Sequence, residues 1–302
     1  MASLKEVKAR IVSVTSTQKI TGAMKMVSSA KLKRAQRAIE SIAPYQGMLN
    51  RILNNFLETE SDFQSAYADV RPVKKLAIVV FSSNSSLCGA YNSNVIKQLA
   101  STLSEYKNLG ADNITVYPIG HKVYNAAVKM EVKVAGNFRE IADKPDFEAI
   151  SKITAALMDE FLKKEIDKVI LIYHHLKNTS SQKLKTETFL PISFETSETE
   201  KENSSIKENE KSGGYIADYI VEPNKAAVLE ALLPKALRTK VFACLLDSNA
   251  SEHAARVVAM QTANDNAETM IKDLTVLYNK TRQAAITSEL LDIVGGAAAL
   301  EN

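Results

Sequence analysis

The residues best placed to do chemistry follow a strand candidate, Leu76–Ser82, in the turn Ser83-Asn84-Ser85-Ser86-Leu87-Cys88-Gly89-Ala90. A dinucleotide site needs G-x-G-x-x-G at such a place, so that backbone can approach a pyrophosphate at a helix start. Only Gly89 is present, and no G-x-x-x-x-G-K-[ST] phosphate loop occurs in the chain. The hydroxyls and amides of the cluster retain the capacity to hold an anion, but a plain polar loop is the simpler reading. Cys88 beside glycine could be imagined as a nucleophile; a half-buried packing cysteine explains it with less. The four histidines, His121, His174, His175 and His253, have no Cys, His or Glu at metal-ligand spacing on a helix face. His174 and His175 close a strand candidate with side chains on opposite faces, as expected of a strand end reaching solvent. No catalytic residue, cofactor or metal is expected.

The elements that would carry these residues have three textures. From about Leu4 to Leu57 the chain reads as one helix, with apolar residues at Leu4, Val7, Ile11 and Val14, then Ile20, Met24 and Val27, then Leu32, Ile39, Ile42, Leu49, Ile52, Leu53 and Phe56. Steps of three and four make a coiled-coil seam, and the shift through Ile20 reads as a stutter in it. Pro44 predicts a kink or restart. Such a helix spans on the order of 80 Å and needs a partner along its length. From about Val73 to Pro223 strands alternate with helices. Strands are expected at Leu76–Ser82, Ile114–Ile119, Glu131–Ala135, Lys168–Tyr173, Lys185–Ile192 and Tyr215–Val221, and helices at Ser93–Leu109, Lys122–Lys129 and Phe147–Lys164. That order implies βαβ units on a partly parallel sheet, antiparallel at the edge where the last two strands follow without a helix. Between those two, residues 196–214 are dominated by Glu, Lys, Ser, Thr and Asn, the composition of a mobile surface loop. After Pro223 helix returns through Leu237, Val241, Leu245, Val258, Ala267, Ile271, Leu274, Tyr278, Ala285 and Ile293, with Pro234 as a possible restart. The fold class is α/β: a central Rossmann-like domain (residues 73–222) between an N-terminal helix (1–60) and a C-terminal helix (223–302) that pair as an antiparallel coiled coil.

Composition narrows the function. Hydrophobic residues are 45% and charged residues 24%, ordinary for a folded chain, while tryptophan is absent. Two cysteines, Cys88 and Cys244, cannot build a disulfide framework, which fits a reducing compartment. No signal or transit pattern is read at the N-terminus, and no apolar run is long enough to span a membrane. Charge is uneven: residues 1–37 carry nine basic side chains (Lys5, Lys8, Arg10, Lys19, Lys25, Lys31, Lys33, Arg34 and Arg37) against one acid, Glu6. A solvated face normally mixes signs, so this helix wants an anionic surround: nucleic acid, anionic lipid or an acidic protein surface. Small residues along it (Ser13, Thr15, Thr17, Gly22, Ala23, Ser28, Ser29, Ala30) let surfaces approach from several sides, favouring a shaft in a protein sleeve.

Four runs carry a resemblance. Arg10–Leu32 (RIVSVTSTQKITGAMKMVSSAKL) resembles the first shaft helix of the gamma subunits of F-type rotary ATP synthases, and Tyr278–Ala299 (YNKTRQAAITSELLDIVGGAAA) resembles that family's C-terminal signature. Ser251–Arg256 (SEHAAR) and Ala259–Asn266 (AMQTANDN) are similar to it too, and the likeness extends over the whole chain. Two features depart from the family: Asn84-Ser85-Ser86 stand where an Asp, a basic residue and Gly are frequent, and the polar insert at 196–214 is longer than in many relatives.

The resemblance implies a non-catalytic rotor. The terminal helices would turn inside the hexamer of alpha and beta subunits, while the α/β domain, with the epsilon subunit, rides on the membrane c-ring driven by proton flow. Arg282, Gln283 and Thr287 would contact a beta-subunit loop, Met24 and Lys25 would face an acidic lever of beta, and the tail from Ala297 to Leu300 would sit in an apolar bearing. The implied place is the cytoplasmic face of a bacterial inner membrane, held peripherally through the complex. Two other readings stand beside it: a basic coiled-coil protein binding nucleic acid, and a nucleotide-binding α/β enzyme.

Overall fold

The computed structural model describes residues 3–59, 65–192, 221, 222 and 224–300. Helix α1 (Leu4–Thr59) and helix α6 (Lys225–Leu300) flank the strands β1 (Leu76–Phe81), β2 (Ile114–Ile119), β3 (Lys133–Val134), β4 (Lys168–Asn178) and β5 (Ser181–Leu190). Between the strands lie α2 (Tyr91–Glu105), α3 (His121–Lys129), α4 (Arg139–Asp143) and α5 (Phe147–Leu162). The sheet order is β3-β2-β1-β4-β5, parallel except for the β4–β5 hairpin. β1, a run of six apolar residues, is buried throughout, as a central parallel strand covered on both faces must be. Ala77, Val79 and Phe81 pack toward α5 and α6, while Leu76, Ile78 and Val80 pack toward α2 and α3.

The antiparallel edge is therefore the β4–β5 hairpin. β4 runs five residues beyond its expected end at Tyr173, to a turn in which Asn178 Oδ1 accepts from the amides of Ser180 and Ser181. The expected strand Tyr215–Val221, but for Val221, and the loop at 196–214 lie outside the described residues. His174 does not reach solvent as expected. It is buried against Tyr91, ring centroids 4.4 Å apart, because β4 continues past it.

The long helices pair antiparallel in one register. Leu53 and Phe56 pack with Leu229 and Leu233, Leu32 and Ala35 with Ala250 and Ala254, and Gly22 approaches Asn264. The stutter is absent. From Val7, alternate steps of four and three through Ile11, Val14, Gln18, Thr21, Lys25, Ser28, Leu32, Ala35, Ile39, Ile42, Gln46, Leu49, Leu53 and Phe56 meet only buried or half-buried residues. The heptad is unbroken, but its middle is filled by Gln18, Thr21, Lys25 and Ser28, so following apolar residues alone leads off the seam. Ile20 and Val27 stand outside it, 61% and 57% exposed. Polar and small side chains at the contact let the helices approach at Gly22, where an added Cβ would already touch Asn264 Oδ1 at 3.7 Å. Neither proline ends its helix: α1 runs through Pro44 and α6 through Pro234. Each proline costs one backbone hydrogen bond, on the order of 3 kcal/mol, and the burial of Leu49, Leu53, Leu229 and Leu233 on either side offsets it.

Candidate functional site

The turn after β1 is closed on itself. The Ser83 amide donates to Asn92 Oδ1 at 3.1 Å, Asn92 Nδ2 donates back to Ser83 Oγ at 2.8 Å, and Ser83 Oγ donates to the Ser85 carbonyl at 2.6 Å. Asn84 ties the turn to two further elements: its Nδ2 donates to the Arg139 carbonyl at 2.8 Å while its Oδ1 accepts from the His121 amide at 2.9 Å. An aspartate could accept the second of these bonds but could not donate the first. Gly120, with φ +113°, brings its α-carbon against Ser82, whose carbonyl oxygen would lie 2.2 Å from an added Cβ. Ser83, Asn84 and Asn92 therefore spend these donors within the fold. Cys88 is fully buried, rather than half-buried, with Asn92 Nδ2 3.1 Å from its sulfur. Cys244 is buried too, and burial, with Glu187 nearby, pushes its thiol up to about 12, so it holds its proton at neutral pH. Among the described residues no group of three or more His, Cys, Asp or Glu side chains could hold a metal ion.

The other candidate residues lie on the long helices. Met24 and Lys25 are half-buried, Lys25 on the seam itself. Arg282, Gln283, Thr287 and Ala297 are exposed, and Thr287 Oγ1 donates to the Gln283 carbonyl one turn back at 2.9 Å. Leu300 is the last residue of α6. The structure does not bring these together into one site. The register sets Gly22 beside Asn264, and Arg282 lies about 27 Å further along α6 than Asn264. It is a two-level arrangement along an axis.

What separates the levels is the end of α1. On α6 the seam continues through Met260, Asn264, Ala267, Ile271, Leu274, Tyr278 and Thr281, all buried or half-buried, and stops there because α1 begins at Leu4. Every residue from Arg282 to Ala297 is exposed, including Ala285 and Ile293 of the expected helix. About 27 Å of single helix overhangs the pair. Ile286, Leu290, Ile293 and Val294 form an apolar stripe 50–68% exposed, bordered by Glu289, with Ser288, Leu291 and Asp292 turned away from it. An isolated helix with a bare apolar stripe is the shape of an element that inserts into something.

A family model described as ATP synthase matches residues 3–300. The ATP synthase gamma chain of Bacteroides fragilis is 52% identical over 299 residues, which are 99% of this chain and 100% of that one. The chain belongs to the ATP synthase gamma-chain family. The gamma chain of Phocaeicola vulgatus is 53% identical, again over 99% of this chain and 100% of that one. In fold, the chain matches a component of the rotor of the Euglena gracilis mitochondrial ATP synthase, with a TM-score of 0.63 at 19% identity, covering 94% of this chain and 98% of that one. A gamma chain is a subunit of the ATP-synthesising complex. No described helix is long and apolar enough to cross a membrane.

In this gamma-family chain, sequence reasoning passed over the place where the helix pair leaves the α/β domain. There Glu252 Oε1 accepts from Arg256 Nη2 at 2.7 Å, and Arg256 Nη1 donates to Ser85 Oγ at 2.8 Å. The Tyr91 hydroxyl donates to the Ser248 carbonyl at 3.0 Å, and burial raises its pKa. Burial also lowers His174 and His253 to about 4 each, so both are neutral at physiological pH. The signal available in the sequence was the i, i+4 spacing of Glu252 and Arg256, which is common enough on helices to pass as a surface pair.

Proposed function

We propose that the chain is the non-catalytic central shaft of a proton-translocating ATP synthase, turning within a hexamer of alpha and beta subunits. The observation that carries this reading is the overhang: a single helical end with an exposed apolar stripe, on an antiparallel pair whose N-terminal helix is basic and outwardly apolar at Val12, Ile20, Met26 and Val27. A shaft needs a surface that is finished only inside its sleeve, and a stiff pair that carries torque from the domain to that surface. It works as a ligand with different affinity for the open and closed conformations of each catalytic subunit, so rotating it moves the population among them.

Within this reading Arg282, Gln283 and Thr287 make polar contacts to a beta-subunit loop, and Met24 and Lys25 meet its acidic lever. Ala297 to Leu300 sit in an apolar bearing. The α/β domain, residues 73–222, binds the epsilon subunit and the membrane c-ring, leaving residues 1–60 and 223–302 as the shaft. The complex lies on the cytoplasmic face of the bacterial inner membrane. The nucleotide-enzyme reading is disfavoured by the turn after β1, which has Gly89 alone where a pyrophosphate loop needs several glycines. The nucleic-acid reading leaves the apolar overhang without a role.

Mixing purified alpha and beta subunits with and without the chain tests the proposal. Cooperative ATP hydrolysis that depends on the added chain supports it. Arg282→Ala should then lower that activity by about tenfold, the loss of roughly one charge-assisted hydrogen bond. A hydrolysis rate indifferent to the chain contradicts it.

A further inference from the structure

Glu252 sits in the last turns of α6 that touch the α/β domain; two turns further on, Ala259 makes a further contact, its Cβ 3.9 Å from the Cβ position of Gly89. Beyond that α6 has only α1 beside it. The carboxyl is 10% exposed, and its partner Arg256 is 13% exposed. Charged groups face this pair from each side: Lys31 from α1 and Asp143 at the end of α4, with Tyr91 of α2 also close. His253, on the same helix, is neutral and leaves its buried Nδ1 without a partner among the described residues, so it offers Glu252 no second cation. Arg256 spans the junction, holding Glu252 with one terminal nitrogen and the Ser85 hydroxyl of the turn after β1 with the other. Its Nε is buried with no acceptor among the described residues. A small cleft lined by Phe81, Ser82, Tyr91, Ile119, Ser248 and Glu252, about 10 Å³, or room for one water, opens onto the carboxyl and gives a proton a way in.

We propose that the Glu252–Arg256–Ser85 chain is a proton-controlled latch at the neck of the molecule, closed when Glu252 is ionised and released when it takes up a proton. The electrostatics follow from the geometry. An ionised Glu252 is the near anion that lets a guanidinium with one orphan nitrogen stay buried. Once it is protonated, Arg256 loses the anion it is paired with, and a buried cation left without its partner moves to water. Ser85 then loses its hold on α6, and the turn after β1, with its Ser83–Asn92 bonds, opens more readily. Burial outweighs the attraction of Arg256 and Lys31 and pushes Glu252 up to about 7, so the change falls within the physiological range. The latch belongs to the isolated chain, so it stands or falls independently of whether the chain turns in a hexamer.

Hydrogen exchange of the full chain, corrected for the intrinsic pH dependence, reads the latch directly. The Ser83 amide, which donates to Asn92 Oδ1, should exchange about tenfold faster at pH 6 than at pH 8, the effect of about one pH unit of proton linkage. Glu252→Gln, which keeps the shape without the charge, should exchange fast at both values. An unchanged rate across this range in the wild-type chain, or full pH dependence surviving in Glu252→Gln, overturns the proposal. If that variant does not fold, carboxyl ¹³C titration of the wild-type chain decides. A glutamate midpoint within about one unit of 7, tracked by the Ser85 amide shift, supports the latch. No carboxyl titrating above pH 6 contradicts it.

Discussion

The two ends of α6 belong to one helix and live in different surroundings. Between Leu229 and Met260 nearly every turn places a side chain in the domain core or against α1, and Leu229, Val241, Leu245, Ala250 and Ala254 are buried. Between Arg282 and Ala297 nothing is covered, although the apolar content is comparable: Ile286, Leu290, Leu291, Ile293 and Val294 are all half or more exposed. The difference is a matter of partners rather than of composition. The seated end is stabilised by what this chain supplies. The bare end holds apolar surface in water, which is unfavourable until another surface covers it. A molecule built this way keeps its stability and its function in separate stretches of one helix.

The contrast predicts how substitutions divide. The largest effect on stability belongs to Gly120→Ala, where an added Cβ would stand 2.2 Å from Ser82 O on a backbone at φ +113°. A loss of roughly 3 kcal/mol or more, read by urea unfolding, is expected, since strain and clash add. Leu229→Ala, at 1% exposure, should cost about 3 kcal/mol by emptying a packed site. Leu290→Ala on the overhang should change stability by no more than about 0.5 kcal/mol, yet weaken activation of the alpha–beta hexamer. If Leu290→Ala instead destabilised the isolated chain like Leu229→Ala, the overhang would have a partner within the chain and the division would fail.

A second pair sharpens the same point on α1. Leu32 lies on the seam and Ile20 outside it, though both are large aliphatics at spacings that suit a coiled coil. Leu32→Ala should cost about 3 kcal/mol and Ile20→Ser close to nothing, by the same urea assay. The smallest effect is on pH dependence. His174 and His253 have folded pKa values near 4, below the ordinary 6.5, so the unfolded chain takes up protons first. Stability is therefore lost as pH falls from about 6.5 toward 4. Glu252 acts in the opposite sense: its folded form binds a proton first, so between pH 7 and about 4.5 it makes the fold more stable as pH falls. His253→Gln should remove part of the acid loss, on the order of 1 kcal/mol at pH 5, and leave pH 7.5 unchanged.

These comparisons also mark what could be read from the residues alone. β1 and β2 were legible nearly to the residue, because LAIVVF and ITVYPI are short apolar runs between turn signals. The pairing of α1 with α6 was legible from length, since a helix of this span needs a partner. The seam was not. Its middle is held by Gln18, Thr21, Lys25 and Ser28, and hydrophobicity points instead to Ile20 and Val27, which face outward. α4 was missed because five residues are too few to show a period, and the start of β5 because Ser181, Gln182 and Lys183 read as loop. The family resemblance located the overhang residues, but not that they are bare and some 27 Å beyond the level of Met24. The neck cluster was invisible for another reason. Burial of Glu252 and His253 depends on α1, α4 and β1 converging on one turn of α6, and no local pattern in SEHAAR encodes that convergence.

The central claim is that the chain turns as a shaft, and rotation can be watched. Thr179, in the exposed β4–β5 turn, can be changed to cysteine and labelled there, since Cys88 and Cys244 are buried. With the alpha–beta hexamer fixed to a surface and a reporter particle on residue 179, ATP should drive one-directional stepwise rotation at the pace of hydrolysis. Steady hydrolysis with a motionless particle would contradict the account.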